Sequence, residues 1–350
     1  MSWLRKLTGE RKRKKLAPVC GLKLEALEDR MLMSATAAIT WQKNIGTWGH
    51  PQFKTTHDLF AIDAFSGDVV KYEDGVRYDL GAPPEGTVTA LSAGLDDSLI
   101  DSPYVYALTT WDSIWVSQGS GWTRLGQSTM PFTAISAARF NGVYANDFGT
   151  IVFLDLEGGI HNLGALGTPG RGYSMELSAG FDPMTNKNEI FVIFNHAIYV
   201  QKTDIFMQSS PGWTLVDSSA AFVHISATIN DEVYALDSQG ALHQDSEWQF
   251  WGLDFWLSAQ LVSSSSYWAL SAGTDVNGHD VVYVIDQLGN AILYNANGKA
   301  SWVDSGITEL SATEGGTFFD VYSDQSTPWG GMPYEYDPAL GWVFLGGDVK

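Results

Sequence analysis

Cysteine is almost missing: Cys20 is the single thiol in 350 residues. One thiol closes no internal disulfide and makes no thiolate metal site, and it leaves the redox compartment open. Charge is also sparse, at 17% against about 25% in an ordinary soluble domain. Lys and Arg are the scarcer sign, 20 against 40 Asp and Glu. No apolar run approaches the ~18 residues of a membrane-spanning helix, so no transmembrane segment is expected. There is no His-Glu-x-x-His, no Gly-x-Ser-x-Gly, no phosphate-binding loop and no dinucleotide fingerprint. The seven histidines are scattered. The commonest motif-bearing enzyme classes therefore find no signature here.

The sparse charge is unevenly placed. Residues 1–35 hold nine Lys/Arg and four Asp/Glu, a net of +5, while the remainder holds 11 and 36, a net of −25. A body this acidic repels nucleic acid phosphates and anionic membranes, so no nucleic acid partner is expected. Its acidity keeps a chain that is 13% aromatic in solution.

What the chain has in abundance is repetition. Leu91-Ser-Ala, Ile135-Ser-Ala, Leu177-Ser-Ala, Ile225-Ser-Ala, Leu270-Ser-Ala and Leu310-Ser-Ala follow one another at steps of 40 to 48 residues. One more copy, Leu257-Ser-Ala, falls between registers. A second strand and a tight turn come next. Val233-Tyr-Ala-Leu-Asp237-Ser-Gln-Gly240 aligns with Val282-Tyr-Val-Ile-Asp286-Gln-Leu-Gly289 and with Ile151-Val-Phe-Leu-Asp155-Leu-Glu-Gly158. Leu59-Phe-Ala-Ile-Asp63 begins a similar turn, and Val105 to Leu108 and Ile190 to Ile193 keep the strand alone. Asp bonds its own backbone in such turns and Gly takes positive φ. A Trp then recurs: Trp122, Trp213, Trp302 and Trp342.

The copy at Leu59 implies an earlier unit without the tripeptide, with Ala38 to Trp41 as its first strand. Seven units of about 45 residues match the period of four-stranded propeller blades. Such a sheet cannot bury both faces alone; stacked radially, each face is covered by the next sheet. The expectation is an all-β, seven-bladed β-propeller over residues 36–350, a monomer, preceded by a basic leader over 1–35 that is partly helical or disordered.

The leader carries a resemblance. Leu24-Glu-Ala-Leu-Glu-Asp-Arg-Met-Leu-Met-Ser-Ala35, after the basic cluster Arg11 to Lys15, resembles the LExLExRxLLSA motif at the N-termini of large surface or secreted proteins of planctomycete bacteria. The resemblance implies a secreted or cell-surface protein whose leader is removed near Ser34-Ala35. The repeats, read as Ser-Ala strand, Val-Tyr-Ala-Leu-Asp-x-x-Gly and Gly-Trp, are similar to tectonin-type propeller repeats, with Tyr106, Tyr234 and Tyr283 where that family usually has Trp. That similarity implies binding of glycans or bacterial surface components.

Two residue groups are candidates for a site. Trp248, Phe250, Trp251, Phe255 and Trp256 crowd an insertion that adds nothing to the repeat, so they are candidate ligand-binding residues; the bland alternative is an aromatic cover over one blade. Three units extend the tripeptide to Ser-Ala-Gly-x-Asp, at Asp96, Asp182 and Asp275. Equivalent loops share a propeller face, and Asp275, Asn277 and Asp280 are oxygen ligands of the kind Ca²⁺ takes; the alternative is Asp opening a β-turn. No other cofactor is expected. The regular Trp residues read first as packing between blades. The leading function is a non-catalytic exported propeller that binds glycans or another envelope polymer. The alternatives are a glycoside hydrolase or lyase with acidic residues near the axis and a scaffold for a surface protein.

Overall fold

The structure is a computed structural model. It describes residues 58–344 except 64–65, 74–75, 96–102, 120, 129–130, 139–141, 168–174, 183–186, 205–211, 229, 231, 251–252, 276–278, 296, 313–317, 323–331 and 338–340. The leader, the strand expected at 38–41, Asp96, Trp251 and Asn277 lie outside the described residues.

The described chain is all strand and turn. The first sheet is β1 (Asp58–Ile62), β2 (Val69–Glu73) and β3 (Val76–Gly81). The second is β4 (Val88–Leu95), β5 (Pro103–Thr109), β6 (Ser113–Ser117) and β7 (Thr123–Gln127). The third is β8 (Phe132–Ala137), β9 (Gly142–Asp147), β10 (Thr150–Asp155) and β11 (Ile160–Ala165). The fourth is β12 (Glu176–Asp182), β13 (Lys187–Phe194), β14 (Ala197–Asp204) and β15 (Thr214–Asp217). The fifth is β16 (Phe222–Ala227), β17 (Glu232–Asp237), β18 (Leu242–Phe250) and β19 (Leu253–Ser263). The sixth is β20 (Tyr267–Thr274), β21 (Asp280–Asp286), β22 (Asn290–Asn295) and β23 (Ala300–Ser305). The seventh is β24 (Ile307–Ala312), β25 (Phe318–Tyr322), β26 (Met332–Asp337) and β27 (Gly341–Phe344). Each sheet is an antiparallel meander in sequence order; among the described residues six have four strands and the first has three. This is the blade architecture of a β-propeller.

The tripeptide lies on the first strand of six sheets. First strands of neighbouring sheets run side by side from β4 through β24, which makes them the strands nearest the axis. The second strand is buried on both faces: Val233, Tyr234, Ala235 and Leu236 of β17 are at most 2% exposed. A strand between two sheets reads as a continuous apolar run, as Val281 to Ile285 does. The outermost strands meet water and lose that run; β3 and β23 are mostly exposed.

One register differs from the sequence alignment. Ile151 to Asp155 is the third strand of its sheet, not the second. The counterpart of Val233-Tyr-Ala is Val143-Tyr-Ala on β9, where Ile135 pairs with Ala145 as Ile225 pairs with Ala235. The mismatch comes from aligning on the Asp-x-x-Gly turn. That turn suits any antiparallel connection, and in the third sheet it joins the third strand to the fourth.

Two devices fasten neighbouring blades. In the first, the tripeptide serine accepts a hydrogen bond from the backbone N–H of the tripeptide alanine one sheet on. Ser92 accepts from Ala137 (2.8 Å), Ser136 from Ala179 (2.9 Å), Ser178 from Ala227 (2.8 Å), Ser226 from Ala272 (2.9 Å) and Ser271 from Ala312 (2.9 Å). Each serine also stands opposite the aromatic of the second strand, as Ser226 stands opposite Tyr234 and Ser178 opposite Phe191. The recurrent spacing of Ser-Ala thus satisfies inner-strand N–H groups that no ladder reaches. Ser226→Ala will leave the Ala272 N–H buried without its acceptor and will cost about 1–3 kcal/mol, measured as a shift in urea midpoint at unchanged m.

In the second device, the turn after the second strand offers a carbonyl to the next sheet. His196 O accepts from Phe222 N, Gly240 O from Tyr267 N and Gly289 O from Ile307 N, at 3.1, 2.9 and 2.9 Å. The Asp that opens such a turn holds it closed. Asp237 Oδ1 accepts from the N–H groups of Gln239 and Ala241 at 2.8 and 2.9 Å, and Asp286 repeats this with Leu288 and Asn290. Burial alone would raise the Asp237 pKa; the Ala241 N–H, His243 and the Gln239 N–H outweigh it and hold the carboxyl below its ordinary value.

Candidate functional site

The aromatic insertion is a hairpin that outgrows its blade. β17 pairs with β18 only as far as Ser246. From Glu247 to Phe250, β18 pairs among the described residues with β19 alone. Trp248 stands opposite Phe255, Phe250 opposite Leu253, Glu247 opposite Trp256 and Gln249 opposite Asp254. Strand residues alternate between faces, so Trp248, Phe250, Leu253 and Phe255 share one face of the ladder. Glu247, Gln249, Asp254 and Trp256 share the other. The side chains of 247–261 lie outside the described set.

The carboxylates singled out in the sequence are dispersed. Asp182, fully buried at the end of β12, pairs with Lys202 Nζ at 3.2 Å, and the same ammonium reaches Glu189 at 3.1 Å. Asp275 closes its own loop: it accepts from the His279 N–H at 2.9 Å and faces His279 Nδ1 at 3.2 Å. Asp280 is 7% exposed and accepts from Asn230 Nδ2 at 3.0 Å. Asp182 and the Asp275–Asp280 pair belong to the fourth and sixth sheets. The glycine in Ser-Ala-Gly-x-Asp has its own reason: a Cβ on Gly94 would meet Ala138 O at 2.6 Å, and one on Gly180 would meet Thr228 O at 3.1 Å. The extension therefore marks close approach to the next blade.

Sequence reading missed the seam around Asp280. Glu232, on the neighbouring blade, accepts from Tyr234 Oη at 3.0 Å and Gln244 Nε2 at 2.8 Å. Burial pushes Asp280 up to about 7, the Glu232 charge adds to it, and Thr228 and Asn230 oppose it. Burial raises Glu232 as well, against the bonds from Tyr234 and Gln244. A signal existed: Asn188-Glu189-Ile190, Asp231-Glu232-Val233 and His279-Asp280-Val281 each place acid just before a buried second strand. Only tertiary packing turns two such acids toward one seam.

Nearer the axis, Glu176 of β12 and His224 of β16 occupy the position before the tripeptide in adjacent blades. Their side chains are 36% and 32% exposed and 3.2 Å apart, and the bond to Glu176 raises the His224 pKa above its ordinary value against the effect of burial. Ala90, Ala134 and Ala269 hold the equivalent position in other sheets.

The recurrent tryptophans divide. Trp122 donates to the carbonyls of Leu80 and Gly81 at 3.1 and 3.2 Å and packs against the core between the first and second sheets. Trp213 packs against the core between the third and fourth. Trp302 is 65% exposed and does not pack between blades. The side chain of Trp342 lies outside the described set.

No protein-family model matches the chain, and no curated protein does. Solved structures do match. Prp20p from Saccharomyces cerevisiae, studied for binding Gsp1p and histones, aligns at 9% identity and a TM-score of 0.51 over 78% of this chain and 84% of that one. BBS1N in complex with ARL6DN aligns at 12% identity and 0.54 over 83% and 91%. A protein from Lactobacillus plantarum aligns at 13% identity and 0.54 over 85% and 97%. The chain shares their fold. Identities this low carry the likeness no further than architecture.

Proposed function

We propose that this propeller is a recognition module of the cell envelope that docks a protein partner through the β18–β19 hairpin. The observation that carries this reading is the ladder beyond Ser246, which puts Trp248, Phe250, Leu253 and Phe255 on one face. A cluster of aromatic and aliphatic positions is what protein interfaces use as a hot spot. Prp20p and BBS1N, both described with protein partners, support a binding role for the fold. The leader motif at Leu24 to Ala35 supports export.

A second reading is favoured by the opposite face, where Trp256 shares the ladder with Gln249 and Asp254. An aromatic beside amide and carboxylate groups is suited to a sugar ring. The enzyme reading gains less. Asp245 and Asp280, whose carboxyls burial raises, are 0% and 7% exposed, so a substrate does not reach them with the blades packed.

The test is photo-crosslinking in native cells with benzoylphenylalanine at position 250, with a control at Leu215, which is 50% exposed on the fourth sheet. One discrete protein adduct at 250, lost in Trp248→Ser/Phe255→Ser and absent at 215, is the expected result. Saturable glycan-array binding with no adduct would replace the protein reading with the sugar one. N-terminal sequencing of the same material checks export: the mature chain is expected to begin near residue 35.

A further inference from the structure

The turns that join the second strand of each sheet to the third lie at one face of the propeller. In the fourth, fifth and sixth sheets they dock there on the start of the next blade. Turns that meet water ordinarily carry Gly, Asn, Asp or Ser at their tips. Here the second sheet presents Trp111, 61% exposed, and the sixth presents Leu288, 83% exposed. The third presents Phe148, half-buried, with φ at +47°. A bulky side chain is an outlier in that left-handed region. In the sequence the connection between β1 and β2 carries Phe65, and the connection between β25 and β26 carries Trp329; both residues lie outside the described set. A single exposed apolar residue is ordinary. Five in the same connection of the repeat are not, because the fold gathers that connection on one face. Around a closed ring the sixth, seventh, first, second and third sheets are neighbours, so the turns that carry these residues form an arc. The fourth and fifth sheets complete the ring with Asn195-His196 and Ser238-Gln239.

Charge is scarce along these turns. Among the described residues their tips hold no Lys, Arg or Glu. Asp237 and Asp286 are bonded into their own turns, and Asp147 accepts from Ser128 Oγ at 2.6 Å. The links that lead into the next blades at this face are similar. Residues 218–221 and 264–266 are Ser and Ala alone and mostly exposed, and Glu85 in the link after β3 pairs with Arg124 at 3.2 Å. A chain of net charge −20 repels a copy of itself. Two copies therefore meet at least cost where the contact residues are apolar and uncharged, and this face offers such residues to an identical face.

We infer that the turn face is a homodimer interface, joining two copies face to face about a two-fold axis. An axis through the first sheet lays one arc on the other, with Leu288 of one copy over Phe148 of its partner, twice. A stable dimer needs about 800 Å² from each partner, and the exposed links around the tips extend the contact toward that size. The aromatic hairpin stays free. The β17–β18 turn at Ser238-Gln239 belongs to this face, so the β18–β19 connection lies at the other end of the fifth sheet. The dimer carries its two hairpins on opposite outer sides.

The test is sedimentation equilibrium of the full chain over a wide concentration range, at low and high salt. A monomer–dimer equilibrium is expected, tighter at high salt because salt screens the repulsion between two acidic bodies. Leu288→Glu and Trp111→Glu should each weaken the dimer by about tenfold or more, since the two-fold repeats every loss. Both side chains are exposed, so the melts of the dilute variants should match the wild type. In a Cys20→Ser background, Leu288→Cys and Phe148→Cys should form a disulfide with each other under mild oxidation when the two proteins are mixed, and far less when either is alone. A monomer at every concentration and salt would overturn the interface. So would a dimer indifferent to both glutamate variants, or one that gives no mixed disulfide. Flotation of the monomer with neutral phosphatidylcholine vesicles, lost in Trp111→Glu, would replace the second copy with a lipid surface.

Discussion

Gly240→Ala will destabilise the propeller by about 3–5 kcal/mol, while Gly158→Ala will cost only about 1–2 kcal/mol. The two glycines look alike in sequence, each ending an Asp-x-x-Gly turn, and both have positive φ, +80° and +87°. A residue with a Cβ suffers the left-handed backbone strain at either place. The surroundings differ. A Cβ on Gly240 would sit 2.4 Å from Tyr267 O and 2.6 Å from Tyr267 N, whereas around Gly158 no described atom lies within 4 Å. Tyr267 begins the next blade, and its N–H bonds to Gly240 O at 2.9 Å. An alanine there cannot be relieved by rotating a flexible side chain, because the obstacle is backbone. It must push the fifth blade away from the sixth and break that bond. Gly289 stands between the extremes, with Ile307 O at 3.3 Å. Urea unfolding of the three variants should rank Gly240 well above Gly289, and Gly289 above Gly158. Equal effects at Gly240 and Gly158 would mean that the turn does not dock on the next blade.

The second large effect is the pH dependence of stability in metal-free buffer. Stability should fall by something on the order of 5 kcal/mol between pH 5 and pH 9. Asp245 is pushed up to about 8, chiefly by burial and then by Asp217, and Asp280 to about 7, chiefly by burial and then by Glu232. Both folded-state values lie above the ordinary 3.8. Between that value and the folded one the native state binds more protons than the unfolded chain. Stability is therefore greatest on the acid side and is lost as pH rises through about 7 and 8. His224, raised by Glu176, acts in the same direction. Asp155, Asp237 and Asp286 are lowered, so their contribution is present above 3.8 and disappears only as pH falls through their folded values. The optimum should sit near pH 4–5, and Asp245→Asn with Asp280→Asn should flatten the slope above it. A wild-type profile that is flat or rising from pH 5 to pH 9 in EDTA would contradict this account.

Much of the architecture was legible from periodicity alone. The Leu/Ile-Ser-Ala spacing located the first strand of six sheets, and runs such as Val233 to Leu236 marked strands buried on both sides. Local pattern suffices there because every blade solves the same burial problem with the same strand order. It failed for Ile151 to Asp155, since an Asp-x-x-Gly turn specifies a tight connection without saying which pair of strands it connects.

The chemistry was far less legible. Asp182 and Asp275 share the Ser-Ala-Gly-x-Asp context in the sequence, yet one is paired with Lys202 and the other closes its own loop, while Asp280, at the start of the next strand, feels the Glu232 charge. Asp245 carried no local signal, standing in a strand among Gln244 and Ser246. Its isolation arises from what the fourth sheet places opposite it. By itself the sequence determined the repeat length, the first strand of six blades and the recurrence of the serine and glycine positions, because these obey short-range periodicity and sterics. Only the tertiary structure decided which acids lose their water and which charges face one another, because desolvation and Coulomb interaction depend on neighbours from the adjoining blade.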